Sequence, residues 1–105
     1  MSDVVVVLST VPDDESAEKI ARTLVEEKLA ACVNVLPPMT SIYRWKGAVE
    51  RDTERQLVMK TTRAALDALQ KRLAELHSYE LPEFIVLHAD DASDRYLAWV
   101  GASLK

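Results

Sequence analysis

Cysteine, histidine and glycine are scarce in this sequence of 105 residues, which contains one Cys, two His and two Gly. A single Cys excludes a disulfide within the chain, and no paired Cys or His motif is present that would hold a zinc ion in one chain. No glycine-rich phosphate loop appears. Acidic residues outnumber basic residues by 17 to 13, and the basic residues form no block, which argues against nucleic-acid binding through phosphate contacts.

Long hydrophobic runs are absent as well, and none approaches the roughly 20 residues needed to span a bilayer. The start, MSDVVVVLST, has no basic region before its short apolar run, so it does not resemble a signal peptide. Together with the single Cys, these features predict a cytoplasmic protein without membrane insertion. The apolar fraction of 49% excludes disorder, and the length predicts one domain over residues 1–105.

Two β-prone runs meet at Lys46-Gly47 and predict a β-hairpin with glycine in its turn. Alternation places Tyr43 and Trp45 on the same face of the first run. At about 3.3 Å per residue, residues 49–60 span about 40 Å. A domain of this length has a radius of gyration of about 13 Å, or roughly 34 Å across. The hairpin tip should therefore project beyond its own core, where a second chain covers its aromatic residues, which predicts an oligomer.

The remaining pattern predicts the order β-α-β-β-α-β followed by a C-terminal helix. The predicted strands cover residues 3–11, 31–36 with a break at Pro37-Pro38 before the hairpin, and 84–88. The predicted helices are one capped by Asp13 or Asp14 and ending near Leu29, one capped by Thr61 or Thr62 and ending near His77, and one capped by Ser93. This is an α+β fold: a ferredoxin-like split sheet with two helices on one face, a long protruding hairpin and a C-terminal helix.

The continuous apolar run Val4–Leu8 predicts a strand that is buried on both faces and central in the sheet. Right-handed crossovers also place the first and third strands in the centre.

Polar side chains concentrate in the connector from His77 to Glu83. They have two interpretations: a hydrogen-bond network that fixes a subunit interface, or a polar pocket for a small anion or metabolite. The residues concerned are Tyr79, Glu80 and Glu83, joined by Glu54 and Lys60. Tyr43 and Trp45 are interpreted as interface anchors in preference to a base-stacking platform.

Two side chains are candidate metal ligands. A Cys32 thiolate would suit Cu(I), although a small buried hydrophobic residue in a strand is the simpler interpretation. The His77 imidazole would suit divalent copper, and the alternative is a histidine that interacts with the end of a helix. No serine or threonine carries the signature of an activated nucleophile, so the chain is not expected to be an enzyme.

Several motifs, spread over nearly the whole chain, resemble the CutA family of divalent-cation tolerance proteins. They are Ala31-Cys32-Val33-Asn34, Tyr43-x-Trp45-x-Gly47, Glu54, Lys60-Thr61, His77-x-Tyr79-x-x-Pro82-Glu83 and Tyr96-Leu97-x-Trp99. The resemblance implies a homotrimer similar to that of the PII signalling proteins, in which each long hairpin extends a neighbouring sheet. It also implies a role in tolerance to copper and other divalent metal ions.

The resemblance also implies a set of copper ligands. In the family these are usually a Cys late in the first strand and two adjacent His. Those places hold Ser9, Leu76 and His77 in this chain, and Ser78 stands where Pro is common. Weak binding of Cu²⁺ or another divalent cation through His77 and carboxylates is therefore expected, with no cofactor required. The alternatives are a PII-like regulatory trimer that binds a small metabolite at its subunit clefts, or a trimeric assembly protein.

Overall fold

A computed structural model describes residues 2–105 and contains one antiparallel sheet of five strands. The strands are β1 (Val4–Pro12), β2 (Cys32–Val35), β3 (Met39–Trp45), β4 (Ala48–Thr62) and β5 (Ile85–His88). The helices are α1 (Ser16–Glu26), α2 (Leu66–Leu76) and α3 (Asp94–Ser103), and a 3₁₀ turn at Arg63–Ala65 leads into α2. No helix in the described part of the chain is long and apolar enough to cross a bilayer.

The strand order is β2-β4-β1-β5, and β3 also pairs with β4. Strands β1 and β4 are therefore central, which confirms the ferredoxin-like split sheet. Strands β2 and β3 are the two halves of the broken arm predicted from Pro37-Pro38. These two residues lack backbone N–H groups and leave a gap between Val35 and Met39.

The main core lies on one face of the sheet, under α1 and α2. Along β1 the buried residues alternate, with Val5, Val7 and Val11 in the core while Val6 and Leu8 are half-buried. The prediction that this strand is buried on both faces is thus wrong for the single chain. Because side chains alternate across a strand, only every second residue reaches the helices.

The opposite face of the sheet is covered only in part. Helix α3 packs Val100 against Val4 at one end of this face. Beyond that contact, apolar side chains of three adjacent strands stay half-buried or exposed. This surface is called the open sheet face, and its residues are Val6, Leu8, Val58, Ile85 and Leu87.

Two predicted helix boundaries differ from the structure. Helix α1 ends at Glu26 and not near Leu29, because Lys28 adopts a left-handed conformation with φ of 61°. Neither Thr61 nor Thr62 caps α2: the Thr61 hydroxyl donates to the Leu29 carbonyl at 2.8 Å, and Thr62 makes no side-chain cap. The Ser93 cap of α3 is confirmed, since its hydroxyl oxygen accepts the backbone N–H of Tyr96 at 3.2 Å.

The N-cap residue of α1 is Glu15, whose side chain makes no capping hydrogen bond, and the predicted Asp14 acts from one residue before it. The Asp14 carboxylate accepts the backbone N–H of Ser16 at 2.8 Å and the hydroxyl of the same residue at 2.5 Å. These two hydrogen bonds hold the pKa of Asp14 below its usual range. The first turn of α1 is thereby stabilised by negative charge.

The hairpin of β3 and β4 turns through two residues, Lys46 with φ of 49° and Gly47 with φ of 83°. Positive φ at both positions is the type I′ geometry that matches the twist of paired strands. Strand β4 runs for 15 residues. The molecule measures 44 × 25 × 24 Å, so it is extended along one axis.

Candidate functional site

A cleft of about 870 Å³ lies between the hairpin and the connector that follows α2. Its hairpin wall consists of one face of β3 and β4, where strand alternation brings Tyr43 and Trp45 to the same side as Glu54. Its second wall is the segment from Ser78 to Phe84. Ligand sites in proteins commonly have volumes of about 300–1,000 Å³.

A partly buried hydrogen bond joins the two walls. The phenol of Tyr79 donates to one carboxylate oxygen of Glu54 at 2.6 Å, and Glu54 is only 6% exposed. Burial, followed by the hydrogen bond to Glu54, raises the pKa of Tyr79 above its ordinary value. The contact fixes the connector against β4 and keeps a carboxylate inside the cleft.

A second bridge forms through Gln56, the next residue of β4 on the same face. Its side-chain amide donates to the backbone carbonyl of Ser9 at 2.7 Å and to the carboxylate of Glu83 at 3.0 Å. Gln56 therefore holds Glu83 in the cleft wall. Residues two apart on a strand share a face, so alternation from Glu54 is the signal that would have predicted this residue.

Negative charge extends from the cleft to the tip of the hairpin. The Tyr43 phenol donates to the Asp52 carboxylate, and this hydrogen bond is the main cause that raises the pKa of Tyr43 to about 12. Lys46 Nζ lies 3.5 Å from a carboxylate oxygen of Glu80 and 5.5 Å from the centroid of the Trp45 ring. The sequence places Lys46 at the turn and contains no signal for these two contacts.

His77 lies behind the connector and is 8% exposed. Its Nε2 is 2.7 Å from the carbonyl oxygen of Thr10, and its Nδ1 is 3.1 Å from the backbone N–H of Tyr79. The first contact requires a donor and the second an acceptor, so the tautomer protonated at Nε2 satisfies both. Both ring nitrogens are engaged in holding the connector.

The other residues considered as ligands are dispersed. Ser9 is fully buried, and its hydroxyl has no hydrogen-bond partner among residues 2–105. Lys60 does not line the cleft; its ammonium group contacts Asn34 and lies 4.0 Å from the sulfur of Cys32. No group of three or more His, Cys, Asp or Glu side chains in the described chain could hold a metal ion.

The Tyr79–Glu54 contact predicts how stability depends on alkaline pH. The folded state retains the Tyr79 proton at pH values where the unfolded chain releases it, so the free energy of unfolding should fall as pH rises above about 10. Tyr79→Phe should remove this part of the decrease. Urea unfolding between pH 8 and 11 measures it, with Tyr96→Phe as the same change outside the cleft. An identical pH slope in the wild type and Tyr79→Phe would contradict the assignment.

Comparisons with known proteins agree with this fold. The family model described as CutA1 divalent ion tolerance protein matches residues 5–103. A divalent-cation tolerance protein CutA of Thermus thermophilus is 50% identical over 95 residues, covering 90% of this chain and 92% of that protein. A chloroplastic CutA protein of Arabidopsis thaliana is 42% identical over 101 residues, covering 96% of this chain and 56% of that protein. The crystal structure of CutA from Xylella fastidiosa has a TM-score of 0.95 and 44% identity, covering 99% of this chain and 100% of that one.

Proposed function

Because this chain belongs to the CutA1 divalent ion tolerance protein family, we propose that it serves metal-ion tolerance as a cytoplasmic homotrimer with no catalytic step of its own. The non-catalytic role is supported by the environment of Ser9. Its buried hydroxyl has no hydrogen-bond partner among residues 2–105, so no base in this part of the chain is placed to activate it.

The trimer is proposed because the apolar residues of the open sheet face are not covered within one chain. The apolar run of β1 has the composition of a strand covered on both sides, yet Val6 and Leu8 are only half-buried in one chain. On the neighbouring edge strand, Ile85 and Leu87 are exposed. A second copy packed on this face would supply the missing cover. Light scattering at micromolar concentration tests the assembly, and a mass of one chain would contradict it.

The hairpin supplies further contacts for such an assembly. Ile42 and Val49 lie on the face of the hairpin that points away from the cleft, and both are largely exposed. Tyr43 and Trp45 face the cleft instead. By strand alternation the cleft side is also the side of the sheet that carries the open sheet face, so the hairpin offers its aliphatic residues on one side and Tyr43 and Trp45, the anchors predicted from the sequence, on the other.

Weak copper binding at His77 is part of the proposal, and the hydrogen bonds of its ring account for the weakness. A copper ion that binds either nitrogen displaces one partner and leaves a buried backbone group of Thr10 or Tyr79 unsatisfied. Such a loss costs about 1–3 kcal/mol. The affinity of His77 for Cu²⁺ should therefore be about 5- to 150-fold lower than that of an unrestrained imidazole.

Calorimetric titration with Cu²⁺ checks this prediction at neutral pH. His77→Ala should lose part of the heat that the wild type gives, because a ligand is removed. His88→Ala is measured beside it, because His88, exposed at the end of β5, is the other imidazole that can bind Cu²⁺; heat that is lost in His77→Ala and kept in His88→Ala belongs to His77. Equal heats for the wild type and His77→Ala would exclude His77 as a ligand, provided that circular dichroism shows both proteins to be folded.

A second candidate function is regulation by a small metabolite bound in the cleft. The volume of the cleft and its fixed polar walls favour this role. The hydrogen bonds made by Tyr79 and Gln56 hold both walls in place before a ligand arrives. The charge of the cleft then decides which class of molecule it accepts.

A further inference from the structure

We propose that the cleft between the hairpin and the connector binds a small organic cation with a primary ammonium group. The proposal rests on the metabolite-binding role above and names the ligand class. Three features carry it: the sign of the charge in the cleft, an accessible carboxylate oxygen of Glu54 that has no donor, and the aromatic side chains beside it.

The charge of the lining excludes an anion as the preferred ligand. The charged residues of the lining are all acidic. They are Glu54, Glu80 and Glu83, and the lining contains no Lys, Arg or His. Lys46 lies at the rim and offsets Glu80 only, through an exposed ion pair that contributes little. Lys60, the one basic residue of the polar pocket predicted from the sequence, lies near Cys32 and away from the cleft.

Glu54 provides the central acceptor. One of its oxygens accepts the Tyr79 phenol, and this is the single side-chain hydrogen bond that Glu54 makes within residues 2–105. Its other oxygen accepts no hydrogen bond within residues 2–105 and is not one of the fully buried atoms, so it stays accessible to a donor that enters the cleft, although the residue as a whole is only 6% exposed. An ammonium N–H would form a charge-assisted hydrogen bond there.

The aromatic residues favour an organic cation over a metal ion. The rings of Tyr43, Trp45 and Tyr79 line the cleft together with the carboxylates. Aromatic faces attract alkylammonium groups, whereas divalent metals need several converging oxygen or nitrogen ligands. The described residues contain no such converging group.

The chain itself contains an example of this recognition at the rim of the cleft. The Lys46 ammonium lies 5.5 Å from the Trp45 ring centroid and 3.5 Å from the Glu80 carboxylate. An alkylammonium group thus already sits between an aromatic ring and a carboxylate. The buried position beside Glu54 and Tyr79 offers the same pair of groups in a drier environment, where the interaction is stronger.

Calorimetric titration of the purified full chain with three four-carbon compounds tests the proposal. The compounds are 1,4-diaminobutane, 1,4-butanediol and succinate, which differ mainly in charge. We expect binding of the diamine, and at least tenfold weaker binding of the neutral diol and of the dianion. The experiment is performed at pH 7 and low salt, where the diamine is fully protonated.

Charge-removing variants then locate the site. Glu54→Gln should weaken diamine binding about tenfold or more, because it replaces a charged acceptor by a neutral one. Glu83→Gln is a second variant in the cleft wall whose carboxylate is less buried. Glu26→Gln is the matched control: it removes the same charge at an exposed position on α1, on the other side of the sheet, and should leave the affinity unchanged.

The possible results distinguish the ammonium proposal from the broader proposal that the cleft binds a metabolite. Binding of succinate without the diamine would overturn the ammonium proposal and leave metabolite binding intact. Binding of none of the compounds would overturn the ammonium proposal and remove the support for a metabolite. Equal diamine affinity in the wild type, Glu54→Gln and Glu83→Gln would show attraction to surface charge alone, and would also overturn the proposal.

Discussion

Leu87→Asp should yield single chains of 11.8 kDa where the wild type forms the proposed assembly of three. Leu87 lies on the edge strand β5, opposite Val6, and is 49% exposed in the isolated chain. A carboxylate at this position meets water in a single chain and so disturbs its fold little. In an assembly that covers the open sheet face, the same carboxylate is buried without a partner, which costs several kcal/mol per ion.

Val25→Asp is the matched control for this substitution. Val25 is an apolar residue with 40% exposure, but it lies on α1, on the other side of the sheet. It should keep the mass of the wild type in light scattering. An unchanged mass for Leu87→Asp would place the interface elsewhere, and a shift for both variants would show that any added charge disrupts the assembly.

The first strand shows how much of the fold follows from the sequence. The run Val4–Leu8 predicts a central strand, and β1 is indeed paired on both edges, with β4 and with β5. What the composition does not distinguish is cover by the same chain from cover by another chain. Both bury apolar surface equally well, so an apolar run indicates a covered strand without indicating which chain covers it.

Helix α1 shows why element ends are harder to predict. Leu29 continues the helical spacing of apolar residues, but the helix ends three residues earlier at Glu26. The left-handed conformation of Lys28 turns the chain, and Leu29 still packs against the core from outside the helix. Periodicity reports which residues face the core, and it does not report the backbone conformation that brings them there.

The cleft shows the same limit for a site. Alternation places Glu54, Gln56 and Lys60 on one face of β4. From the sequence, all three are therefore equally good candidates for the same site. Six residues of extended strand separate Glu54 from Lys60 by about 20 Å, which puts Lys60 near β2 and Glu54 near the connector. Only the register and the path of the connector decide which of them share a pocket.

Leu57→Ala should lower the free energy of unfolding by about 2–5 kcal/mol. Leu57 is fully buried at the centre of β4, where it pairs with Ser9 of β1 and Val35 of β2. Truncation leaves a cavity in the main core beneath α1 and α2. Leu81→Ala is the control, since Leu81 is 70% exposed in the connector and should change the free energy of unfolding by less than about 0.5 kcal/mol.

Urea unfolding at several protein concentrations separates this effect from assembly. The unfolding midpoint of an oligomer rises with concentration, because association stabilises only the folded chains. Leu57→Ala should keep that dependence and shift every midpoint downward, since it weakens each chain without touching the open sheet face. Leu87→Asp should abolish the dependence. If Leu57→Ala also made unfolding independent of concentration, the core beneath the sheet and the contacts between chains would form one cooperative unit. That result would contradict the expectation that fold and assembly are separable.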